Sequence, residues 1–218
     1  MVAGNLPVIG VLDLQGGTQE HLEHLGHISG CVAKPVKAPD ELQALSGLIL
    51  PGGESTCLSR LFKLFGLHEA IKREHSRGMK VWGTCAGAIL IAREIIDEQP
   101  HLALMDIAVH RNAFGSQMDS FNLTANIPEV SGEPIPLTFI RAPKIVRVGP
   151  GVKILLRHED FIAAAEDDRC LATAFHPELT SGLAFHRYFA HKCGVSSELH
   201  SDQIEGWTAR SWMQVARA

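Results

Sequence analysis

The sequence predicts a three-layer α/β fold, in which a mostly parallel sheet carries helices on both faces and continues into an antiparallel extension. In the first half of the chain, short and nearly continuous apolar runs alternate with amphipathic stretches, a pattern typical of strands that crossover helices bury on both faces. After about residue 104 the apolar runs follow one another without long helical stretches between them, which indicates antiparallel pairing. No linker, internal repeat or low-complexity tract divides the chain, so residues 1–195 are expected to form one domain.

The first half opens with a buried strand at residues 7–14, followed by two glycines and a polar helix start signal. Three further strands are predicted at residues 32–36, 47–50 and 79–84. Helices are predicted between them at residues 18–29, at residues 58–76 as one helix or two with a break near Gly66, and at residues 86–96.

The second half contains six predicted strands, at residues 107–110, 121–125, 137–140, 152–156, 161–165 and 171–175. A helix at residues 181–192 closes the predicted domain. The remaining stretch, residues 196–218, is predicted to be a helical extension with one apolar face, formed by Ile204, Trp207, Trp212 and Val215. That face either packs on the domain or docks to a partner, and the sequence leaves both alternatives open.

Composition excludes several classes of function. The chain has 218 residues, of which 45% are hydrophobic and 20% charged, as expected for a folded protein with a sizeable core. A net charge of -4 gives no electrostatic reason to expect nucleic acid or an anionic membrane as a partner. No apolar run reaches the roughly 18–20 residues of a membrane span, and no basic cluster precedes an apolar stretch at the start as in a signal peptide. The five cysteines are odd in number and form no C-x-x-C pair, which favours a reducing, cytoplasmic location without disulfides or a zinc site.

The segment Gly83-Thr84-Cys85-Ala86-Gly87 is the central motif, because it lies between a predicted strand and a predicted helix. It has the form of a nucleophile elbow, in which small residues are needed around a cramped turn. A helix N-terminus would supply backbone N–H groups and partial positive charge, which lower the pKa of a thiol and can hold an oxyanion. The plainer alternative is a buried and inert cysteine, so the motif needs support from elsewhere in the chain.

That support comes from Phe175-His176-Pro177-Glu178, at the end of the last predicted strand. A thiol nucleophile needs a base, and the base needs a group that orients it. If the segment stays extended, Glu178 points to the same side as His176 and can accept a hydrogen bond from one imidazole nitrogen. Most of the 12 histidines, such as His21, His24 and His191, lie in no such motif and are expected to be ordinary surface residues.

A third motif, Pro51-Gly52-Gly53 followed by Glu54-Ser55-Thr56, comes after the third predicted strand. Ligands of open parallel sheets bind beyond the carboxyl ends of the strands, and paired glycines there let backbone N–H groups approach a substrate carbonyl. The structural alternative is a turn in which Ser55 or Thr56 caps the next helix.

Taken together, these motifs resemble class I glutamine amidotransferases and, within that class, the glutaminase subunits of pyridoxal 5'-phosphate synthases. The resemblance spans residues 8–190 and implies a flavodoxin-like class I glutamine amidotransferase fold. The elbow and the H-P-E motif are common to many amidotransferases, whereas three other blocks narrow the resemblance to this subfamily. These blocks are Gly52-Gly53-Glu54-Ser55-Thr56, Arg111-Asn112 with Phe114-Gly115 and Gln117, and Phe139-Ile140-Arg141-Ala142-Pro143.

Carried over residue by residue, the resemblance implies that Cys85 attacks the side-chain amide of glutamine and forms a glutamyl thioester. It implies that His176 is the general base and acid and that Glu178 orients it. Backbone N–H groups of Gly53 and Ala86 are then expected to hold the oxyanion. The residues expected to bind glutamine are Gly53, Glu54, Ser55, Arg111, Ile140 and Arg141. A guanidinium such as that of Arg111 suits bidentate pairing with the α-carboxylate of the substrate.

The resemblance also implies a partner. In this family the ammonia passes to a barrel-shaped synthase subunit of a large hetero-oligomer, which makes pyridoxal 5'-phosphate, and the glutaminase is weak until it is docked. Gln15, with the glycines that follow it, is the expected relay between docking and the oxyanion site. No cofactor and no metal are expected. Asp13 departs from the small or apolar residue usual in the family, and inside a buried strand it would need a partner.

Three alternatives stay open at the level of sequence. The chain could supply ammonia to a different synthase, since the Cys–His–Glu chemistry is general to the class. It could be a thiol hydrolase of α/β-hydrolase type, although those enzymes place an acid between nucleophile and histidine, whereas Glu178 follows His176. It could also be a non-catalytic flavodoxin-like binding module with a structural Cys85.

Overall fold

The computed structural model describes residues 6–111, 120–196 and 203–206. The helices are α1 (Thr18–Gly26), α2 (Ser55–Leu64), α3 (Leu67–Ser76), α4 (Ala86–Ile91) and α5 (Ala184–Lys192), with 3-10 turns at Pro39–Leu42 and Pro177–Leu179. The strands are β1 (Val8–Leu12), β2 (Val32–Val36), β3 (Gly47–Leu50), β4 (Lys80–Thr84), β5 (Ala92–Ile95), β6 (Met105–His110), β7 (Ser120–Ala125), β8 (Ile135–Ile140), β9 (Lys144–Val148), β10 (Lys153–His158), β11 (Phe161–Glu166) and β12 (Cys170–Thr173).

Within these ranges one large mixed sheet has the strand order β2-β1-β3-β4-β12-β11-β9-β6-β5, with β10 paired to β11. The strands from β2 to β12 pair in parallel. From β12 through β11 and β9 to β6 the pairing is antiparallel, and β5 returns parallel to β6. Strands β7 and β8 form a separate antiparallel hairpin. The mostly parallel sheet with an antiparallel extension is therefore confirmed.

Side-chain alternation along the central strands explains why helices cover both faces. Leu48 and Leu50 of β3 belong to one buried cluster with the apolar residues of α2, α3 and α4. Ile49, between them, belongs to a second cluster with the apolar residues of α1 and α5. Since successive side chains of a strand point to opposite faces, each central strand contributes to two cores.

The predicted helix over residues 86–96 is wrong in its second half. Helix α4 ends at Ile91, and the chain continues as β5, which pairs with β6. The last carbonyls of α4 are used by the following loop, because Leu90 and Ile91 accept hydrogen bonds from the N–H groups of Leu102 and Leu104 at 2.9 and 2.8 Å. Pairing with a distant part of the chain here outweighs the local helical pattern.

Strand β9 was not among the predicted strands, because charged residues interrupt its apolar pattern. One of them, Arg147, pairs with Glu94 on β5 and with Asp106 on β6, at 2.8 and 3.4 Å. Asp13 also differs from expectation, because β1 ends before it. Its half-buried carboxylate pairs with Lys37 at 3.0 Å, so the sheet contains no buried charge at this position.

Only a small part of the predicted C-terminal helix falls within the described residues. Gln203 forms an isolated antiparallel bridge with Gly182, and a turn follows, so residues 203–206 are not helical. Ile204 is buried, and its N–H donates to the carbonyl of Ser181 at 2.9 Å. Trp207, Trp212 and Val215 lie outside the described residues. Among the helices described, none is long and apolar enough to cross a membrane.

Candidate active site

Cys85 occupies the turn between β4 and α4, with φ at 48° and ψ at -106°. A non-glycine residue with positive φ is uncommon and costs on the order of 1–3 kcal/mol, which the surrounding packing must hold in place. A Cβ at Gly83 would overlap the carbonyl of Gly87, and a Cβ at Gly87 would overlap the carbonyl of Leu50. The cramped elbow predicted from the sequence is therefore present.

The sheet register brings the histidine motif to this elbow. Strands β4 and β12 are parallel neighbours, with Thr84 opposite Thr173. The N–H of Cys85 donates to the carbonyl of Thr173 at 2.8 Å, so both strands end at the same level. His176 follows β12 by three residues and is hydrogen-bonded to the side chain of Cys85.

His176 and Glu178 form a buried pair, with 2.8 Å between Nδ1 and Oε1. The segment was predicted to be extended, but Pro177–Leu179 is a 3-10 turn. The turn itself brings the two side chains together. Because Glu178 occupies Nδ1, the other ring nitrogen is left for the thiol.

The two charged neighbours decide the protonation of His176. Burial favours its neutral form, but the thiolate charge of Cys85 and the carboxylate of Glu178 together raise the pKa of His176 well above its ordinary value. Burial also favours neutral Glu178, yet the positive charges that His21 and His176 can carry lower the pKa of that carboxyl to about 2. The site therefore favours an imidazolium at His176, which lies beside the side chain of Cys85 and is backed by an ionised carboxylate.

An open cavity of about 530 Å³ lies over the elbow. Nearly all predicted site residues line it, and Glu178 stays behind His176 instead. The lining residues are Gln15, Gly16, Glu20, Gly53, Glu54, Ser55, Cys85, Ala86, Ile89, Arg111, Ile140, Arg141, Pro143 and His176.

The glycine loop after β3 forms one wall of this cavity. The N–H of Gly52 donates to Thr84 Oγ1 at 3.0 Å, which ties the loop to the end of β4. Gly16 has φ at 102°, and a Cβ there would overlap the carbonyl of Gly52. The loop between β1 and α1, which contains Gln15, is therefore packed directly against the Gly52-Gly53 loop.

Arg111 is held by two carboxylates at the rim. Its guanidinium donates to Glu54 at 2.7 Å, to Glu98 at 3.2 Å and to Thr56 Oγ1 at 2.7 Å. Glu54 also caps α2, accepting hydrogen bonds from the backbone N–H groups of Thr56 and Cys57. The structural alternative, in which Ser55 or Thr56 caps this helix, is therefore wrong. Ser55 Oγ is buried and makes no hydrogen bond to the described residues, which leaves it available to a ligand.

The opposite wall is formed where β8 ends. Cys85 Sγ lies 3.9 Å from the carbonyl oxygen of Ile140. Arg141 follows with φ at 44°, a left-handed conformation that turns the chain at the cavity rim. The N–H of His176 donates to the carbonyl of Thr138 at 2.8 Å, so β8 is also fixed to the histidine segment.

Two histidines that the sequence analysis treated as ordinary surface residues are fully buried. His21 and His24 both lie on α1 with no exposed area, whereas His191 is exposed as expected. His21 Nε2 lies 3.5 Å from Glu178 Oε2. The spacing of the two histidines, close to one helical turn on an amphipathic helix, was the available signal of a shared buried face.

Comparisons with known proteins agree with this geometry. The model of the SNO glutamine amidotransferase family matches residues 11–195. The pyridoxal 5'-phosphate synthase subunit PdxT of Syntrophus aciditrophicus strain SB is 56% identical over 211 residues, covering 95% of this chain and 94% of its own. PdxT of Ruminiclostridium cellulolyticum is 49% identical over 183 residues, covering 84% and 97%. A crystal structure described as a glutamine amidotransferase is 40% identical, has a TM-score of 0.79, and covers 86% of this chain and 99% of its own.

Proposed function

Because this chain belongs to the SNO glutamine amidotransferase family, we propose that it hydrolyses L-glutamine to glutamate and ammonia and supplies the ammonia to a pyridoxal 5'-phosphate synthase. The observation that carries the proposal is a series of side-chain contacts that begins at Cys85, at the floor of a ligand-sized cavity. It continues through His176 to Glu178. Residues that follow two neighbouring strands, β4 and β12, converge there and provide a nucleophile, its base and the orienting group.

In the first half of the proposed reaction, the Cys85 thiolate attacks the carbonyl carbon of the glutamine side-chain amide. A C–S bond forms, and the carbonyl π electrons move to oxygen. As the oxyanion collapses, the C–N bond breaks and His176 gives its proton to the leaving nitrogen, which departs as ammonia. A glutamyl thioester remains on Cys85.

In the second half, His176 takes a proton from a water molecule as the water oxygen attacks the thioester carbon. Collapse of this second oxyanion breaks the C–S bond, releases glutamate and returns the thiolate to its imidazolium partner. Glu178 stays ionised throughout, because its role is to orient the ring and stabilise its positive charge.

The cavity walls supply candidate groups for recognition. We assign the oxyanion to the backbone N–H groups of Gly53 and Ala86, and the polar ends of glutamine to Glu54, Ser55, Arg111, Ile140 and Arg141. Ser55 Oγ has no hydrogen bond to other described residues, so a substrate atom can satisfy it without displacing a protein partner. Arg111 would exchange part of its contact with Glu54 and Glu98 for the substrate carboxylate.

The proposed partner is a barrel-shaped synthase subunit in a large hetero-oligomer, and the proposed location is the cytoplasm. The name of the PdxT relatives supports a synthase subunit as the partner, whereas its barrel shape and the large hetero-oligomer are proposed from the family resemblance alone. The proposed location is supported by the free state of all five cysteines.

The proposal is tested by labelling the thiol and measuring ammonia release with the synthase subunit present. A glutamine-analogue electrophile should label Cys85 stoichiometrically. Cys85→Ala should abolish labelling and lower ammonia release by on the order of a thousandfold or more, and His176→Asn should slow both. Cys57→Ala is the matched control, because Cys57 is not among the residues that line the cavity. The variant also keeps the backbone N–H that donates a hydrogen bond to Glu54. If wild type shows no labelling even with the synthase present, the chain is a non-catalytic binding module.

A further inference from the structure

Behind the proposed catalytic residues lies a buried cluster of imidazoles that the proposed reaction does not use. His21 and His186 are fully buried, with 2.8 Å between His21 Nδ1 and His186 Nε2. On its other side, His21 Nε2 lies 3.3 Å from Thr84 Oγ1 and 3.5 Å from Glu178 Oε2. This oxygen of Glu178 is buried and makes no hydrogen bond to the described residues, so His21 is its polar neighbour.

The contacts select one tautomer for each ring. A lone pair on His21 Nε2 would face the carboxylate oxygen and repel it, so Nε2 carries the hydrogen. Nδ1 is then an acceptor, and His186 Nε2–H donates to it. His186 Nδ1, which makes no hydrogen bond to the described residues, is then an acceptor.

Both rings are neutral near pH 7. Burial lowers the pKa of His21 to about 4 although the charge of Glu178 acts in the opposite direction, and burial lowers the pKa of His186 well below its ordinary value. A neutral donor orients the carboxylate without cancelling the charge that Glu178 presents to His176. A cation at this position would weaken that charge.

We infer that His21 is a positioning residue for the proposed glutaminase reaction: it fixes the carboxylate of Glu178, and through it the ring of His176, from behind the cavity. The inference rests on the proposed function. Glu178 is confined on its other side as well, since a Cβ at Gly17 would lie 3.1 Å from Oε1. The start of α1 therefore contacts one carboxylate oxygen and His21 the other. His21 does not line the cavity, so it acts on the substrate only through Glu178 and His176.

Two substitutions distinguish an electrostatic role of the N–H group at His21 Nε2 from a role of the His21 ring in packing alone. In His21→Gln the side-chain amide reaches about as far as Nε2 and can still place an N–H group toward Glu178 at the same distance. In His21→Asn the amide reaches only the Nδ1 position, so the contact is lost. Turnover is measured with the synthase subunit present and expressed per Cys85 labelled by the glutamine-analogue electrophile, which removes any misfolded fraction from the comparison.

We expect kcat of His21→Asn to fall by roughly tenfold to a hundredfold with KM nearly unchanged, because a small misplacement of a catalytic group costs about this much and the cavity lining is untouched. His21→Gln should keep most of the wild-type kcat. His24→Gln is the control for altering a buried imidazole of α1. Its amide can still donate to the carbonyl of Thr180, and kcat per labelled site should equal the wild type.

The inference is overturned if His21→Asn keeps the wild-type kcat, if both His21 variants lose the same factor, or if KM changes instead of kcat. The failure of the proposed function would look different, because Cys85→Ala would then retain the wild-type ammonia release.

Discussion

Cys85 and Cys170 each lie near a histidine in the described part of the chain, and the difference between them shows what makes Cys85 a candidate nucleophile. Cys170 Sγ lies 3.9 Å from His75 Nε2, but burial raises the pKa of this thiol and lowers the pKa of His75. Both groups are therefore neutral. At Cys85 burial favours a neutral ring, but the charges of Cys85 and of Glu178 behind the ring together raise the pKa of His176. A buried carboxylate, more than the presence of a histidine, separates a reactive thiol from an inert one.

Replacing Glu178 by glutamine tests this electrostatic argument directly. Without the carboxylate, one of the two charges that oppose the effect of burial is lost and the pKa of His176 falls, so less imidazolium is present beside Cys85 near pH 6. We expect alkylation of Cys85 by iodoacetamide at pH 6 to slow by about tenfold. This is the change that a fall of one unit in the pKa of His176 would produce. At pH 9, above the ordinary thiol pKa of about 8.5, the rate should change much less.

Mass spectrometry of the labelled peptide identifies the modified cysteine, and Cys85→Ala provides the blank. Equal slowing at both pH values would show that Glu178 acts on the shape of the site and not on the charge of His176.

At the scale of elements, the site is built where loops from different strands contact one another. The loop after β1 touches the loop after β3 through Gly16 and Gly52, and the latter is tied to the end of β4 through Thr84. The sequence motifs correctly indicated which strand ends line the cavity, because glycine pairs and the elbow are local signals. They could not indicate which loops touch, since that depends on strand order and register.

Gly16→Ala should damage both stability and activity. The residue has positive φ, and its Cβ would overlap the Gly52 carbonyl, so backbone must move. We expect the free energy of unfolding to fall by roughly 1–3 kcal/mol, measured by urea titration, with a loss of ammonia release beyond the loss of folded protein. Gly26→Ala is the matched control, because Gly26 ends α1 and a Cβ there meets no atom within 4 Å. It should be neutral or stabilise the protein by up to about 1 kcal/mol. Equal effects of the two substitutions would contradict the close contact.

For the whole molecule, the chain up to α4 was predicted well because each strand and helix there has a clear period. The failures lie where distant pairing decides the structure, at β5, which follows an apparently helical stretch, and at β9, whose charges pair across the sheet edge. Most of the cavity lining followed from motif resemblance. His21 was missed as part of the site because its contact with Glu178 joins residues 157 positions apart.

The C-terminal tail is not peculiar to this chain. The family model ends at residue 195, whereas the alignment with the Syntrophus relative covers 95% of the chain and so extends into the tail. Within the described residues, the tail contacts the loop that follows the 3-10 turn of Glu178, through Gln203 and Ile204. Part of the extension is therefore shared with a PdxT relative, and its residues Gln203 and Ile204 lie close to the histidine segment.

Docking of a synthase subunit is expected to raise glutamine turnover, because the exposed Gln15 lies at the cavity and its loop contacts the proposed oxyanion loop. A partner surface that orders Gln15 and Gly16 would also order Gly52-Gly53. We expect turnover to rise by a factor on the order of 5 to 150, the range of typical coupling free energies. For binding, coupling is reciprocal, so glutamine should tighten the complex, which can be measured by titrating the synthase subunit with the Cys85→Ala chain with and without glutamine. In Gln15→Ala the stimulated rate should fall more than the basal rate. Equal turnover with and without the partner, together with an affinity that glutamine does not change, would mean that the site is complete in the isolated chain and that docking serves only to collect the ammonia.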